Sequence, residues 1–182
     1  MLATGGAGGT LPLTRAPATL QHADIARRIP HQGRMCLLER VSAWDTQQIR
    51  CEASSHLASN NPLRAHGRLG AACGIEYAAQ AMAVHGALLA ESGVGAGAAN
   101  QGPAMGYLAS VRGVTLHVDR LDDLSDALTI HAERLSGDST TVLYSFTVHA
   151  GRRLLLGGRA AVILDAQGLA LPQPGTTIPR DL

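Results

Sequence analysis

"GIEYAAQAMAVHGALLA", Gly74 to Ala90, places one acid, Glu76, among small and apolar side chains, with Gln80 one helical turn further on. Alanine is the strongest helix former and no proline interrupts the run, so the spacing predicts a helix from about Ala71 to Glu91. Apolar on most sides, it reads as a helix buried in a soluble protein. The stretch Leu69–Ala90 has the roughly 20 residues that a membrane span needs. Glu76 would then lie well inside the bilayer, where a charge costs about 2.5–3.5 kcal/mol. The soluble reading is preferred, and the fold has to be built around this rod.

Before the helix, "CLLERVSAWDTQQIRCEASS" (Cys36–Ser55) reads as two short strands joined by a turn at Asp45–Thr46, followed by the polar loop "NNPLRAHGRLG". After it, the glycine-rich "SGVGAGAANQGPA" (Ser92–Ala104) is a loop. The period then changes. "GYLASVRGVTLHVDR", "DALTIHAERLSG", "STTVLYSFTVHAG" and "RRLLLGGRAAVILD" predict three or four antiparallel strands in a meander. One helix in a strand-rich chain implies an α+β arrangement with a sheet wrapped around it.

The composition narrows the function. The 182 residues fit one domain that needs no disulfide staples, and a formal charge of +1 gives no electrostatic case for nucleic acid. One Phe and one Trp leave nothing for base stacking. Cys36, Cys51 and Cys73 lack metal-ligand spacing and read as small core residues in a reducing cytoplasm. Residues 1–24 are expected to form a flexible leader without a secretion signal, 25–166 the domain, and 167–182 a tail. Serine-nucleophile and phosphate-cradling motifs are missing, and His117, His131 and His149 share no ligand spacing, so neither a metal nor a cofactor is expected.

Glu76 on the first or second turn of the helix lies near unpaired backbone N–H groups, which polarise a carbonyl or bind an anion. "GAACGIE" (Gly70–Glu76) has only small side chains before the acid, so a ligand would approach the backbone at Ala72, Cys73 and Gly74 closely. Burial favours the neutral form of a carboxyl, which suits a residue handing over a proton near neutral pH. An acid beside an oxyanion site fits thioester chemistry. The plainer reading is that Glu76 caps its helix or pairs with Arg64 or Arg68; a Gln80–Glu76 hydrogen bond fits both.

Two blocks carry a resemblance. "IPHQGRMCLLERV" (Ile29–Val41) resembles the opening of 3-hydroxyacyl-acyl-carrier-protein dehydratases, with Pro-His-Arg, an apolar run and an acidic-Arg-Val end. "GIEYAAQAMA" (Gly74–Ala83) is similar to that family's helix, in which a catalytic Glu is followed by Ala-Met-Ala-Gln. The likeness spans about Ile29 to Asp165. It implies a hotdog fold, a long central helix wrapped by a curved antiparallel sheet, pairing into dimers with acyl-thioester tunnels at the interface. The implied partners are acyl carrier protein with its phosphopantetheine-linked chain and a second hotdog subunit, identical or related.

In that family a His in a His-Phe-Pro turn removes the α-proton and the helix Glu of the other subunit protonates the departing hydroxyl. Here the triplet is absent and "NPL" (Asn61–Leu63) stands in its place. An Asn-Pro-aromatic variant is expected of the dehydratase-like proteins in aryl polyene pigment clusters, the branch that "GIEYAAQ" also resembles most. An amide is no base at neutral pH. The expected assignment is therefore Glu76 as acid, His66 as substitute base, Asn61 as polar orienter, and Ala72, Cys73, Gly74, Gln80 and His31 around the substrate. His31 is expected to be structural more than catalytic, His56 a weaker substitute base, and His85 a hydrogen-bonded core residue. Two rivals remain: a thioester hydrolase on the same fold, and a non-catalytic subunit of a dehydratase heterodimer.

Overall fold

The computed structural model describes residues 19–93, 106–138 and 140–164. The leader up to residue 18, most of the glycine-rich loop and the expected tail lie outside them. The chain runs β1 (Leu20–Gln21), α1 (His22–Ala26), β2 (Arg40–Trp44), β3 (Gln48–Ala53), α2 (Gly74–Glu91), β4 (Tyr107–Leu116), β5 (Leu128–Gly137), β6 (Thr141–Ala150) and β7 (Arg153–Ile163). The seven strands form one antiparallel sheet in the order β1-β2-β3-β5-β6-β7-β4. Leu20 and Gln21 already pair with Val41 and Arg40, so the sheet begins inside the segment expected to be leader. The meander holds for β5 to β7; β4 instead returns beside β7 and forms the edge.

Residue alternation explains the central strands. Along β6, Val142, Tyr144, Phe146, Val148 and Ala150 are buried while their neighbours are not, which is the two-residue period of a half-covered sheet. The covered face receives α2, which packs on β3, β5 and β6. Tyr77, Ala78, Ala81, Val84, Leu88 and the residues between them in helical spacing form its buried side.

The ends of α2 have local causes. It starts after a 3-10 turn, Ala71–Cys73, and a Cβ added at Gly74 would sit 2.5 Å from Leu156 Cδ2 on β7. Gly74 is small because the helix presses on the sheet there. The helix stops where Gly93 takes a positive φ of 69° and donates its N–H to the Ala90 carbonyl, as left-handed caps do.

His85 ties the rod to the sheet. Fully buried, it lies 2.8 Å through Nε2 from the Asp45 carbonyl in the β2–β3 turn and 3.0 Å through Nδ1 from the Tyr144 hydroxyl. Because the carbonyl only accepts, Nε2 carries the proton and Nδ1 accepts from Tyr144. Burial pushes its pKa below the ordinary 6.5, and burial does the same to His56. The unfolded chain therefore takes up more protons in mild acid than the folded one. Stability contributed by neutral His85 and His56 is present above about pH 6.5 and drains away as pH falls through it. The denaturant midpoint is expected to be lower at pH 5.5 than at 7.5; a midpoint equal or higher in acid would contradict this.

Cys36 and Cys51 are buried, Cys73 is half-buried, and all three are free thiols. Burial pushes Cys51 up to about 12, which makes it inert packing. No described helix is long and apolar enough to cross a membrane.

Candidate functional site

Glu76 lies in the first turn of α2, where the sheet-facing stripe gives way to the segment linking α1 to β2. That segment is laced to the helix by Gln80, which is fully buried. Its Oε1 accepts from the Leu37 N–H at 2.8 Å, and its Nε2 donates to the Met35 carbonyl at 2.8 Å and to Glu76 Oε1 at 2.9 Å. The lacing brings His31 over the helix, with Nε2 3.1 Å from Glu76 Oε1. Both side chains keep some access to solvent, 28% for His31 and 30% for Glu76. Glu76 Oε1 thus faces two nitrogen groups, while Oε2 has no hydrogen-bond partner among the described residues.

The ion pairs weighed for Glu76 do not form. Arg64 Nη1 lies 2.7 Å from Asp122, and the guanidinium also bonds the carbonyls of Ala58, His56 and Gly67. With Arg120 forking onto the same carboxylate, Asp122 is held well below the usual carboxylate range. Arg64 is the clasp of the 58–67 loop.

Asn61, inside that loop, is nearly buried. Its Nδ2 donates to the Ser55 carbonyl at 2.8 Å and to the Tyr77 hydroxyl at 3.0 Å, while Oδ1 accepts from the Leu63 N–H at 2.9 Å. Ser55 Oγ donates to the Leu37 carbonyl, so the remaining bond, 2.9 Å, runs from the Tyr77 hydroxyl to Ser55 Oγ. Both amide hydrogens of Asn61 are spent inside the protein. Its network meets the helix at Tyr77, about 100° around the axis from Glu76. Asn61→Ala strands the Leu63 N–H and takes a donor from Tyr77; the expected cost is about 1–3 kcal/mol. Equilibrium unfolding of the variant measures it, and no loss would mean that the loop holds without the clip.

His66 does not meet Glu76 in this chain. It is exposed, with a positive φ of 51°, and with Gly67 (φ 72°) forms a two-residue turn closed by paired Ala65–Arg68 backbone bonds. Two successive positive φ values are what a tight primed turn requires. His56 is fully buried, and neither ring nitrogen makes a hydrogen bond.

The expected oxyanion segment is also largely engaged. The Cys73 N–H bonds the Gly70 carbonyl, and the Gly74 N–H bonds those of Ala71 and Ala72. Those bonds leave aside only the exposed Ala72. Cys73 Sγ turns to the Leu63 carbonyl at 3.7 Å.

Two cavities flank the region. One of about 240 Å³ is lined by His22, Arg34, Cys36, Ser55, Asn61 and Pro62 among others. One of about 530 Å³ lies between Arg68, Arg120, Arg153 and the segment after β4. Glu76 lines neither and is reached from the surface.

The residues that sequence reasoning passed over are Tyr77 and Ser55; Arg64 was weighed only as a partner for Glu76, not for Asp122. Tyr77 stood inside the quoted helix motif, but a tyrosine at helical spacing reads as core until its hydroxyl partners are known. His31 was seen and set aside as structural; what spacing could not show is that its ring ends on the acid.

A single long helix cradled by an antiparallel sheet, with a carboxyl at the helix's first turn, defines a hotdog fold. The chain belongs to the ApeP-like family, described as ApeP dehydratase, whose model matches residues 23–170. Among solved structures it is similar to the dehydratase heterocomplex ApeI:P from Xenorhabdus doucetiae, at 21% identity over 78% of this chain and 90% of that one, with a TM-score of 0.65. A thioesterase from Haemophilus influenzae matches at 10% identity over 81% and 92% of the two chains, TM-score 0.54. Zebra fish thioesterase superfamily member 2 matches at 13% over 80% and 99%, TM-score 0.52. At such identities these likenesses speak for the fold. No relative among curated proteins matches.

Proposed function

We propose that the chain dehydrates 3-hydroxyacyl thioesters carried on acyl carrier protein, as in fatty acid or polyene-type biosynthesis, with Glu76 delivering the proton to the departing hydroxyl. The observation that carries this reading is the Glu76 carboxyl: Oε1 tethered by Gln80 and His31, Oε2 open and solvent-accessible, in a chain of a dehydratase family. Ala72 supplies the remaining backbone amide toward the thioester carbonyl. The acyl chain is accommodated against a second subunit.

Support for that subunit comes from β4. This edge strand exposes Tyr107, Leu108 and Leu116 at 48%, 40% and 47%, three of the five exposed large apolar side chains among the described residues. An uncovered edge with apolar side chains invites pairing with another strand.

The spent amide of Asn61 favours one rival: a chain that contributes Glu76 to a heterodimer whose partner brings the imidazole. Purified alone and with a co-expressed dehydratase subunit, the protein is to be given a 3-hydroxyacyl thioester. An enoyl thioester from the lone chain supports the full enzyme; activity appearing only in the mixed dimer, measured by native mass, supports the rival. A free acid from either preparation would replace both with thioester hydrolysis.

A further inference from the structure

Asn61 accepts no proton and His66, on the same loop, is turned outward, yet elimination needs the α-proton removed. Among the described residues, the one imidazole in contact with the acid is His31. It is held firmly. Gln32, the next residue, donates through Nε2 to the carbonyls of Ala26 at 2.9 Å and Ile29 at 3.2 Å. Gln80 grips the chain on the other side at Met35 and Leu37. Only the Nε2 edge of the ring is engaged; Nδ1 is buried without a partner. A proton at Nδ1 would have no acceptor, whereas Nε2–H points at Glu76 Oε1.

The charged and titratable neighbours are occupied elsewhere. Arg34 turns to the Asn60 carbonyl, Cys73 to Leu63, Cys36 lies beside His22, and Tyr77 is bonded to Ser55 and Asn61. No other ion-pair or hydrogen-bond contact of a titratable group with His31 or Glu76 occurs among the described residues.

We propose that His31 is the positioning residue of a single-carboxyl elimination: it holds Glu76 Oε1 so that Oε2 makes both proton transfers. This rests on the dehydratase reading above. Oε2 takes the α-proton, and the C–H electron pair passes into the thioester as an enolate. The Oε2–H then goes to the β-hydroxyl as the C–O bond breaks and the C=C bond forms. Water leaves, and the carboxylate is restored. His31 stays on Oε1 throughout, keeping the carboxylate turned one way.

The test is His31→Ala, which removes the donor to Oε1, with His31→Gln, whose amide still donates there, as the rescue. With a 3-hydroxyacyl-pantetheine thioester, kcat of His31→Ala is expected to fall about ten- to a hundredfold, as small misplacements do, with KM little changed. Most of that loss is expected to be recovered in His31→Gln. A folded His31→Ala with the wild-type kcat overturns the proposal while leaving the dehydratase reading intact. Should the wild type eliminate nothing, the dehydratase reading falls. The His31–Glu76 contact is then judged by the ring-nitrogen NMR shifts of His31 at one fixed pH, which are expected to move in Glu76→Ala. Unmoved shifts overturn the contact.

Discussion

In Glu76→Gln, turnover of a 3-hydroxyacyl thioester is expected to fall by about 10²–10⁴-fold, the usual worth of a positioned proton donor. That is roughly 3–5.5 kcal/mol of barrier at 1.36 kcal/mol per tenfold. The fold is expected to survive, because the glutamine carbonyl still accepts from Gln80 and His31 in the place of Oε1. What disappears is a group at Oε2 that can gain and lose a proton, since an amide does neither at neutral pH. Steady-state appearance of the enoyl thioester, with a thermal melt of the same preparation, separates the two effects. Unchanged turnover in a folded variant would move the chemistry away from this carboxyl.

Gln80→Leu is the expected large stability effect. The substitution keeps about the same volume but strands the Leu37 N–H and the Met35 carbonyl and removes a donor from Glu76. At about 1–3 kcal/mol for each buried group left unpaired, the loss is about 3 kcal/mol in total. For a chain of 182 residues that corresponds to a fall of roughly 10 °C in the thermal midpoint. Activity falls with it, because the segment that carries His31 loses its tie to the helix. A change below about 1 kcal/mol would mean that water replaces the lost bonds, and that the residue is less enclosed than its full burial implies.

The two variants probe different links. Glu76→Gln removes chemistry from an intact scaffold; Gln80→Leu loosens the scaffold beneath an intact carboxyl. Activity lost in both but stability lost in only the second is the pattern that a preorganised site produces.

Much of the scaffold could be read along the chain because its causes are local. The alanine-rich run without proline could only be a helix, and the alternation in "TVLYSFTVHA" could only be a half-covered strand. Glu76 and Gln80 stood out because a charge and an amide one turn apart in an apolar helix demand a reason, and their hydrogen bond follows from helical spacing alone. Placing β4 at the edge beside β7 was beyond pattern reading. Strand periodicity tells which face is covered and leaves the neighbour undecided.

The site's second half escaped for the same reason. His66 and Asn61 sit in one short loop, and their spacing made both look available for chemistry. Folded, the loop turns its imidazole outward on a tight turn and spends its amide on Tyr77 and Ser55. Gly74 was read as room for a ligand, whereas its missing side chain makes room for Leu156.

The amino-acid order by itself determined the helix, the run of strands after it and the presence of an acid near the helix start, since these depend on neighbours within a few residues, while β1, paired with β2 inside the expected leader, escaped it. Tertiary structure alone decided which histidine reaches that acid. His31 and Glu76 lie far apart in the chain, and their 3.1 Å contact exists because Gln80 bonds the backbone at Met35 and Leu37. Proton chemistry depends on such distances to within a few tenths of an ångström, and no periodicity in a sequence carries that information.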